Sequence, residues 1–295
     1  MATGHVRPEP PLVVIVGPTA SGKTGLAIKL AMRYGGEIIC ADSRTVYKGM
    51  DIGTAKPTPE ERAMVPHWGL DLVEPGERFT AADFQKYTAA KIEEIRARGR
   101  VPFLVGGTGL YIDCVIFDYK FGQDYNQKLR LKLQRMTVRE LQKYCVNNNI
   151  KLPENDKNKR HLIRTIEQKG INNRSRIIPV ENTYIVGIAT EKDILRTRIE
   201  ERSEQLFADG VVKEAIMLGK KYGWDNEAMT GNIYPLCKQY LEGQLTLQEL
   251  KEKFRILDWR LAKRQLTWLR RNHYIRWLDL RSAEQQIGSW LAPEH

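Results

Sequence analysis

The sequence predicts an α/β protein built on a parallel sheet covered by helices on both faces. Three observations carry that prediction. Short apolar runs recur at Leu12–Val16, Glu37–Ala41, Val101–Val105 and Thr183–Ala189, each of a length that suits a buried strand. Helix-like stretches lie between them, and strand–helix–strand alternation builds parallel sheets through crossover connections. The first run leads into Gly17-Pro18-Thr19-Ala20-Ser21-Gly22-Lys23-Thr24, which reads G-x-x-x-x-G-K-[ST] between a strand and a helix. The core is therefore expected to be P-loop NTPase-like, with a small helical insertion domain.

Each element has its own reason. Leu26–Ala31 has helical character directly after the glycine loop. Glu37–Ala41 is a buried strand that ends at Asp42-Ser43, and Asp51–Pro57 is a loop broken by Gly53 and Pro57. Thr80 and Asp83 have capping-box spacing; Phe84, Ile92 and Ile95 mark one helix face, and Gly99 is its stop. Val101–Val105 is the next strand, and it runs into Gly106-Gly107-Thr108-Gly109. From Asp118 to about Arg174 apolar spacing turns helical, at Leu129, Leu133, Val138 and Leu141, and basic residues crowd in. Thr183–Ala189 returns the chain to the sheet. One long helix is expected over Lys192 to Leu218, another over Trp259–Arg271, and a last strand over Ile275–Leu278. The domain reading is thus a catalytic core over 12–118 and 175–295, an insertion over 119–174 and a flexible N-terminus over 1–11.

Composition narrows the class. A chain of 295 residues, 42% hydrophobic and without any apolar stretch of membrane-spanning length, is expected to be soluble, with no membrane partner. The residues before Pro11 lack the apolar core of a signal peptide. Cys40, Cys114, Cys145 and Cys237 form no C-x-x-C pair, and they read as thiols of a reducing cytoplasm. The net charge of +11 is concentrated. Lys128 to Arg164 holds eleven Lys/Arg against three Asp/Glu, and Lys251 to Arg276 holds nine against two. Two such runs beside a phosphate-binding loop point to a polyanion, in particular nucleic acid.

The chemistry begins at the loop. Glycines let backbone N–H groups turn towards an anion, and the following helix aims its positive end at the same place. Gly17, Pro18, Thr19, Ala20, Ser21, Gly22, Lys23 and Thr24 are the residues expected to bind a di- or triphosphate; Lys23 adds a mobile charge and the Thr24 hydroxyl suits Mg²⁺. In open α/β sheets ligands lie beyond the carboxyl ends of the strands, so the loop, Asp42-Ser43 and Gly106–Gly109 should open onto one crevice. A carboxylate at Asp42 facing phosphate calls for a metal or a proton to be moved; otherwise Asp42 is a turn or N-cap residue.

Several long stretches resemble one family, the tRNA dimethylallyltransferases. They are Gly17–Thr24, Asp42-Ser43, Tyr47-Lys48-Gly49-Met50-Asp51-Ile52-Gly53-Thr54-Ala55-Lys56-Pro57, Gly106–Tyr111, Arg198-Ile199 with Arg202, Tyr240–Gly243 and Leu261-Ala262-Lys263-Arg264-Gln265-Leu266-Thr267-Trp268-Leu269-Arg270. The resemblance implies transfer of a dimethylallyl group from dimethylallyl diphosphate to N6 of the adenine next to the anticodon. It implies Asp42 as general base, with Thr108, Lys23 and Arg198 completing the catalytic set and Arg202 assisting at the diphosphate. It implies Mg²⁺ as cofactor and the tRNA anticodon stem-loop as partner. Contacts to that RNA are expected from Asp42, Ser43, Arg44, Thr45, Thr108, Arg130, Arg160, His161, Leu162, Ile163, Arg164, Lys263 and Arg264. A cytoplasmic monomer is expected.

This sequence departs from the family pattern in three places. Arg44-Thr45 stands where the family has Gln after Asp-Ser, the insertion is shorter, and Pro235 in Ile233–Leu236 is expected to break a helix. Prenylation of a free adenine nucleotide, a small-molecule P-loop kinase and an RNA-binding module with a vestigial loop are the competing readings.

Overall fold

The structure is a computed structural model that describes residues 9–121, 126–169, 173–174 and 176–292. Most of the N-terminal stretch expected to be flexible lies outside those residues. The chain divides into two compact units, Met1–Val115 with Glu181–His295, and Ile116–Val180. The sequence expectation placed the insertion at 119–174. No described helix is long and apolar enough to cross a membrane.

The larger unit begins with β1 (Leu12–Val16), α1 (Lys23–Tyr34), β2 (Gly36–Ala41), α2 (Pro59–Met64), β3 (His67–Trp68), α3 (Ala81–Ala97), β4 (Val101–Gly106) and α4 (Gly109–Ile116). The smaller unit contributes β5 (Tyr119–Lys120), α5 (Gln127–Arg135), α6 (Val138–Asn147), α7 (Lys159–Glu167) and β6 (Asn173–Arg174). The larger unit resumes with β7 (Thr183–Ile188), α8 (Lys192–Ala208), α9 (Val211–Tyr222), α10 (Tyr234–Leu241), α11 (Leu247–Leu269), β8 (Arg276–Leu278) and α12 (Leu280–Leu291).

Six strands form one parallel sheet in the order β3-β2-β4-β1-β7-β8. Every residue of β1 and β2 is buried, as central parallel strands with both faces covered require. On one face the alternating residues Val13, Ile15, Ile38, Cys40, Phe103, Val105, Val186 and Ile188 meet Leu26, Ala27 and Leu30 of α1 and Ala283 and Ile287 of α12. The expected capping box starts α3: Thr80 Oγ1 accepts from the Asp83 N–H, and Asp83 accepts from the Thr80 N–H.

Four expectations are corrected. The helix expected over 192–218 is two helices, because Gly210 adopts φ 94° and turns the chain between α8 and α9. α11 begins twelve residues before Trp259, at a capping box of Thr246 and Glu249 whose T-x-x-E spacing was legible. Pro235 does not break α10; it lies in the first turn, where its missing N–H costs nothing. α12, capped by Asp279, had no counterpart in the sequence reading.

In the smaller unit, Leu133 from α5, Leu141 and Cys145 from α6, and Leu162, Ile163 and Ile166 from α7 form a separate core. Asn126, Thr137 and Asn158 cap the three helices. Two residues of β5 pair antiparallel with β6, so the unit is not wholly helical.

Ile287 is fully buried in the main core. Ile287→Ala is expected to lower unfolding free energy by about 2–5 kcal/mol, read from the urea midpoint.

Candidate active site

The phosphate loop links the end of β1 to the start of α1. Its shape depends on backbone freedom at two positions: Gly22 has φ 86°, and a Cβ on Gly17 would lie 2.7 Å from Ser21 Oγ. Ala20 adopts φ 61°, an uncommon conformation for a residue with a side chain. Residues far away in sequence hold the loop. The Thr19 N–H donates to Gln265 Oε1 at 2.8 Å, and Arg198 Nη1 donates to the Ser21 carbonyl at 3.2 Å. Arg202 donates to Thr19 Oγ1 and pairs with Asp258 Oδ2 at 2.7 Å. Asp258 is buried, so the ion pair is anchored from within.

One cavity of about 350 Å³ is lined by Thr19, Ala20, Lys23, Thr24, Asp42, Ser43, Arg44, Thr45, Thr108 and Arg202, among others. The structure thus brings the loop, the end of β2 and the end of β4 to one space. Arg198 reaches the loop through the Ser21 carbonyl. Burial pushes the Lys23 ammonium down to about 8; the nearby Asp42 carboxylate opposes that shift and Arg202 adds to it. Lys23 Nζ donates to the Pro18 carbonyl at 3.1 Å.

Asp42 does two things. Its Oδ1 accepts from the Arg44 N–H at 2.8 Å, which closes a local turn. Its Oδ2 has no hydrogen-bond partner among the described residues. Thr108 Oγ1 accepts from the Ser43 N–H at 3.1 Å, and the Thr108 N–H donates to the Ala41 carbonyl at 3.2 Å. The Thr108 hydroxyl proton is therefore free to be donated. Arg44 Nη1 donates to the Glu227 carbonyl at 3.0 Å and Nη2 to Thr230 Oγ1 at 3.2 Å, so its side chain ties the turn after β2 to residues 227–230. Thr45 is buried and donates its hydroxyl to the Asp42 carbonyl at 3.3 Å.

A divalent cation fits at Thr24 on chemical grounds. No group of three or more His, Cys, Asp or Glu is disposed to hold a metal among the described residues. An ion at Thr24 would draw its other ligands from phosphate oxygens and water, the coordination Mg²⁺ prefers.

The stretch Leu261–Arg270 proves to be mostly structural. Ala262 packs against Leu195 and Ile199, and Gln265 holds the phosphate loop. Trp268 covers Gly109, where a Cβ would come within 2.0 Å of the indole, and donates Nε1–H to Asp113 Oδ2 at 2.8 Å. The exposed side of the same helix is different. Arg260, Lys263, Arg264, Thr267, Trp268 and Arg271 line an open groove of about 510 Å³. None of these four cations has a carboxylate partner among the described residues. Arg264 lines both groove and cavity. Sequence reasoning noted Arg260 and Gln265 without giving them a role and missed Asp258 and Arg271; for the groove, the spacing of 260, 263, 264 and 267 along one helix face was the available signal.

The remaining predicted RNA contacts belong to the smaller unit. Arg160 and His161 are exposed on α7, and Arg130 pairs with Glu167 at 3.4 Å. Arg164 is half-buried on the same helix. Leu162 and Ile163 are core residues, so their side chains support α7 and do not face an RNA.

Known proteins supply a context for this arrangement. The IPP transferase family model matches residues 45–272. A tRNA dimethylallyltransferase of Desulforudis audaxviator is 41% identical, over 95% of each chain. One of Geobacillus thermodenitrificans is 38% identical, over 93% of this chain and 92% of that protein. The solved full-length tRNA isopentenylpyrophosphate transferase of Bacillus halodurans superposes with a TM-score of 0.73 at 35% identity, covering 95% of this chain and 96% of the other. A eukaryotic dimethylallyltransferase shares the fold at a TM-score of 0.76 and 23% identity, over 91% of this chain and 73% of that one.

Lys23 yields a pH prediction. The protonated form binds an anion, and the free site loses that proton as pH rises through about 8. Affinity for an alkyl diphosphate is therefore expected to be full below pH 7 and to weaken by up to about tenfold per unit above 8, measured by calorimetry. Lys23→Arg should remove the inflection.

Proposed function

The chain belongs to the IPP transferase family, and on that premise we propose how its residues perform tRNA dimethylallyl transfer. The reaction moves a dimethylallyl group from its diphosphate to N6 of the adenine 3′-adjacent to the anticodon. One observation carries the reading: Lys23, Asp42 and Thr108 line a single cavity of about 350 Å³. Ala27, Ile38, Cys40 and Val105 supply apolar wall in the same cavity, which suits a five-carbon chain.

The bond between allylic C1 and the diphosphate oxygen breaks, and its electron pair leaves with diphosphate. The loop amides, Lys23 and Arg198 stabilise that growing charge, and Arg202 supports it from Thr19. The adenine N6 lone pair forms the new bond to C1. Asp42 Oδ2 accepts the N6 proton, so charge and atoms balance. Thr108 holds the acceptor side through its free hydroxyl proton. Mg²⁺ at Thr24, when bound, neutralises phosphate oxygens. The target base leaves the anticodon stack to enter, as buried base chemistry requires.

Ser43, Arg44, Thr45, Lys263 and Arg264 are the RNA contacts around the cavity, and Arg130, Arg160, His161 and Arg164 those of the smaller unit. Arg260 and Arg271 extend the set along the groove. The groove's unpaired cations favour tRNA over a free nucleotide as acceptor. We take the active form to be a monomer. All four cysteines are free and buried, consistent with a reducing cytoplasm.

The experiment is nucleoside mass analysis of unmodified tRNA after incubation with protein, dimethylallyl diphosphate and Mg²⁺. A five-carbon gain on the adenine is expected; a gain on AMP alone, or none, overturns the reading. Asp42→Asn is expected to lower kcat by at least about 10²-fold while leaving tRNA affinity nearly unchanged, measured by single turnover and filter binding. Replacing Arg260, Lys263, Arg264 or Arg271 singly by Ala should reduce the slope of log affinity against log salt by about 0.7–0.9 each.

A further inference from the structure

Gly53, Thr54 and Ala55 line the cavity, yet residues 51–55 belong to no helix or strand. A loop that borders reacting atoms must be held, and the structure shows by what. Glu214, on α9, is almost fully buried at 4% exposure. Its Oε2 accepts from the Asp51 N–H at 2.8 Å and the Ile52 N–H at 2.6 Å. Its Oε1 accepts from the Gly53 N–H at 2.9 Å and from the Tyr234 hydroxyl at 2.9 Å. Three successive backbone N–H groups make an anion-binding concavity, and here the chain's own carboxylate fills it.

We infer that Glu214 is a positioning residue for the acceptor side of the cavity, acting through the 51–53 backbone and Tyr234. Glu214 does not itself line the cavity, but Gly53 and Tyr234 do. The packing leaves no slack between them: a Cβ on Gly53 would lie 2.6 Å from Tyr234 Oη. Burial, then the Glu214 carboxylate, push the Tyr234 phenol far above its usual range, so it stays protonated and remains a donor. The opposite charge pins the other end of the loop. Lys56 Nζ, buried, donates to the Tyr47 carbonyl, Asp51 and Asp71 at 2.6, 2.7 and 2.6 Å. The phosphate loop depends on neither group, because Gln265 and Arg202 hold it. Loss of Glu214 should therefore disturb the acceptor and spare the donor.

This inference rests on the proposed transfer reaction for its kinetic readout, but its structural readout is independent. Glu214→Gln puts an N–H where lone pairs are needed, displacing the two donors that oxygen accepts and leaving at least one backbone N–H unpaired. Amide exchange at Asp51–Gly53 is expected to quicken by about tenfold or more. In tRNA prenylation, kcat should fall by about tenfold or more and KM for tRNA should rise, with KM for dimethylallyl diphosphate within about twofold of wild type. Glu214→Asp, which keeps the charge, should recover part of both. Tyr234→Phe, which keeps the carboxylate and three of its donors, should shift the same quantities less; it tests the inference even if the Gln variant folds poorly. Unchanged exchange at 51–53, an equal rise in both KM values, or a uniform loss of active protein with both KM values unchanged would overturn the role. Wild-type protein that fails to modify tRNA would refute the proposed function, and the exchange data would still decide Glu214.

Discussion

An anion cradle must present positive groups that the protein has not already neutralised, and the rest of this structure follows from that constraint. Lys23 is half-buried in the cavity wall, and the desolvation it suffers there pulls its ammonium down to about 8. Burial of a cation without a full counter-ion is costly, and an incoming diphosphate relieves that cost. The protein limits the expense by sharing the work. Arg202, whose guanidinium is paired with buried Asp258, offers less free charge to the cavity than Lys23 does. Arg198 donates to a carbonyl of the loop and has no carboxylate partner among the described residues, so more of its charge remains available. The donors are therefore graded by how far each is already paired, with Arg202 the most paired.

Asp42 is the other half of the balance. A carboxylate near Lys23 raises the lysine's affinity for its proton, against the effect of burial. Placed too close, it would neutralise the cradle; placed too far, it could not share reactants with it. The turn in which Oδ1 takes the Arg44 N–H fixes the side chain while leaving the second oxygen open. Asp42 thus fills the turn role weighed from sequence and keeps a second oxygen open for the proposed proton transfer. One oxygen serves the local turn, and the other faces the site.

How much of this was legible depends on the length scale of each interaction. The phosphate loop, the four central strands and the crevice they share were readable because local pattern dictates them: apolar runs, glycine positions and strand-to-helix order. The groups that hold the loop were not. Gln265 and Thr19 lie 246 residues apart, and Arg202 and Asp258 lie 56 apart. No periodicity reports such a pairing. Pro235 misled for the opposite reason: a strong local rule was applied without the boundary that decides its sign. At a first turn proline is tolerated, and α10 begins there. Leu162 and Ile163 show the limit of motif transfer. They lie in a basic segment, but at helical spacing that buries them.

The loop from 47 to 57 shows why a long, specific sequence signature can be mainly about shape. Beyond a single bridge between Tyr47 and Val73 it has no ladder to supply rigidity, and ordering each backbone residue costs about 1–2 kcal/mol. Two buried charges of opposite sign replace the ladder: Glu214 collects N–H groups, and Lys56 collects a carbonyl and two carboxylates. Each satisfies several partners at once, and this makes a buried charge tolerable. Neither charge reaches the cavity wall that it shapes, so neither weakens the field between Lys23 and Asp42 by contact. A neutral anchor could not collect as many hydrogen bonds, and an exposed charge would be screened by water and salt. Rigid walls beside a graded cradle therefore require charges set back from the reactants, and Glu214 and Lys56 occupy that place.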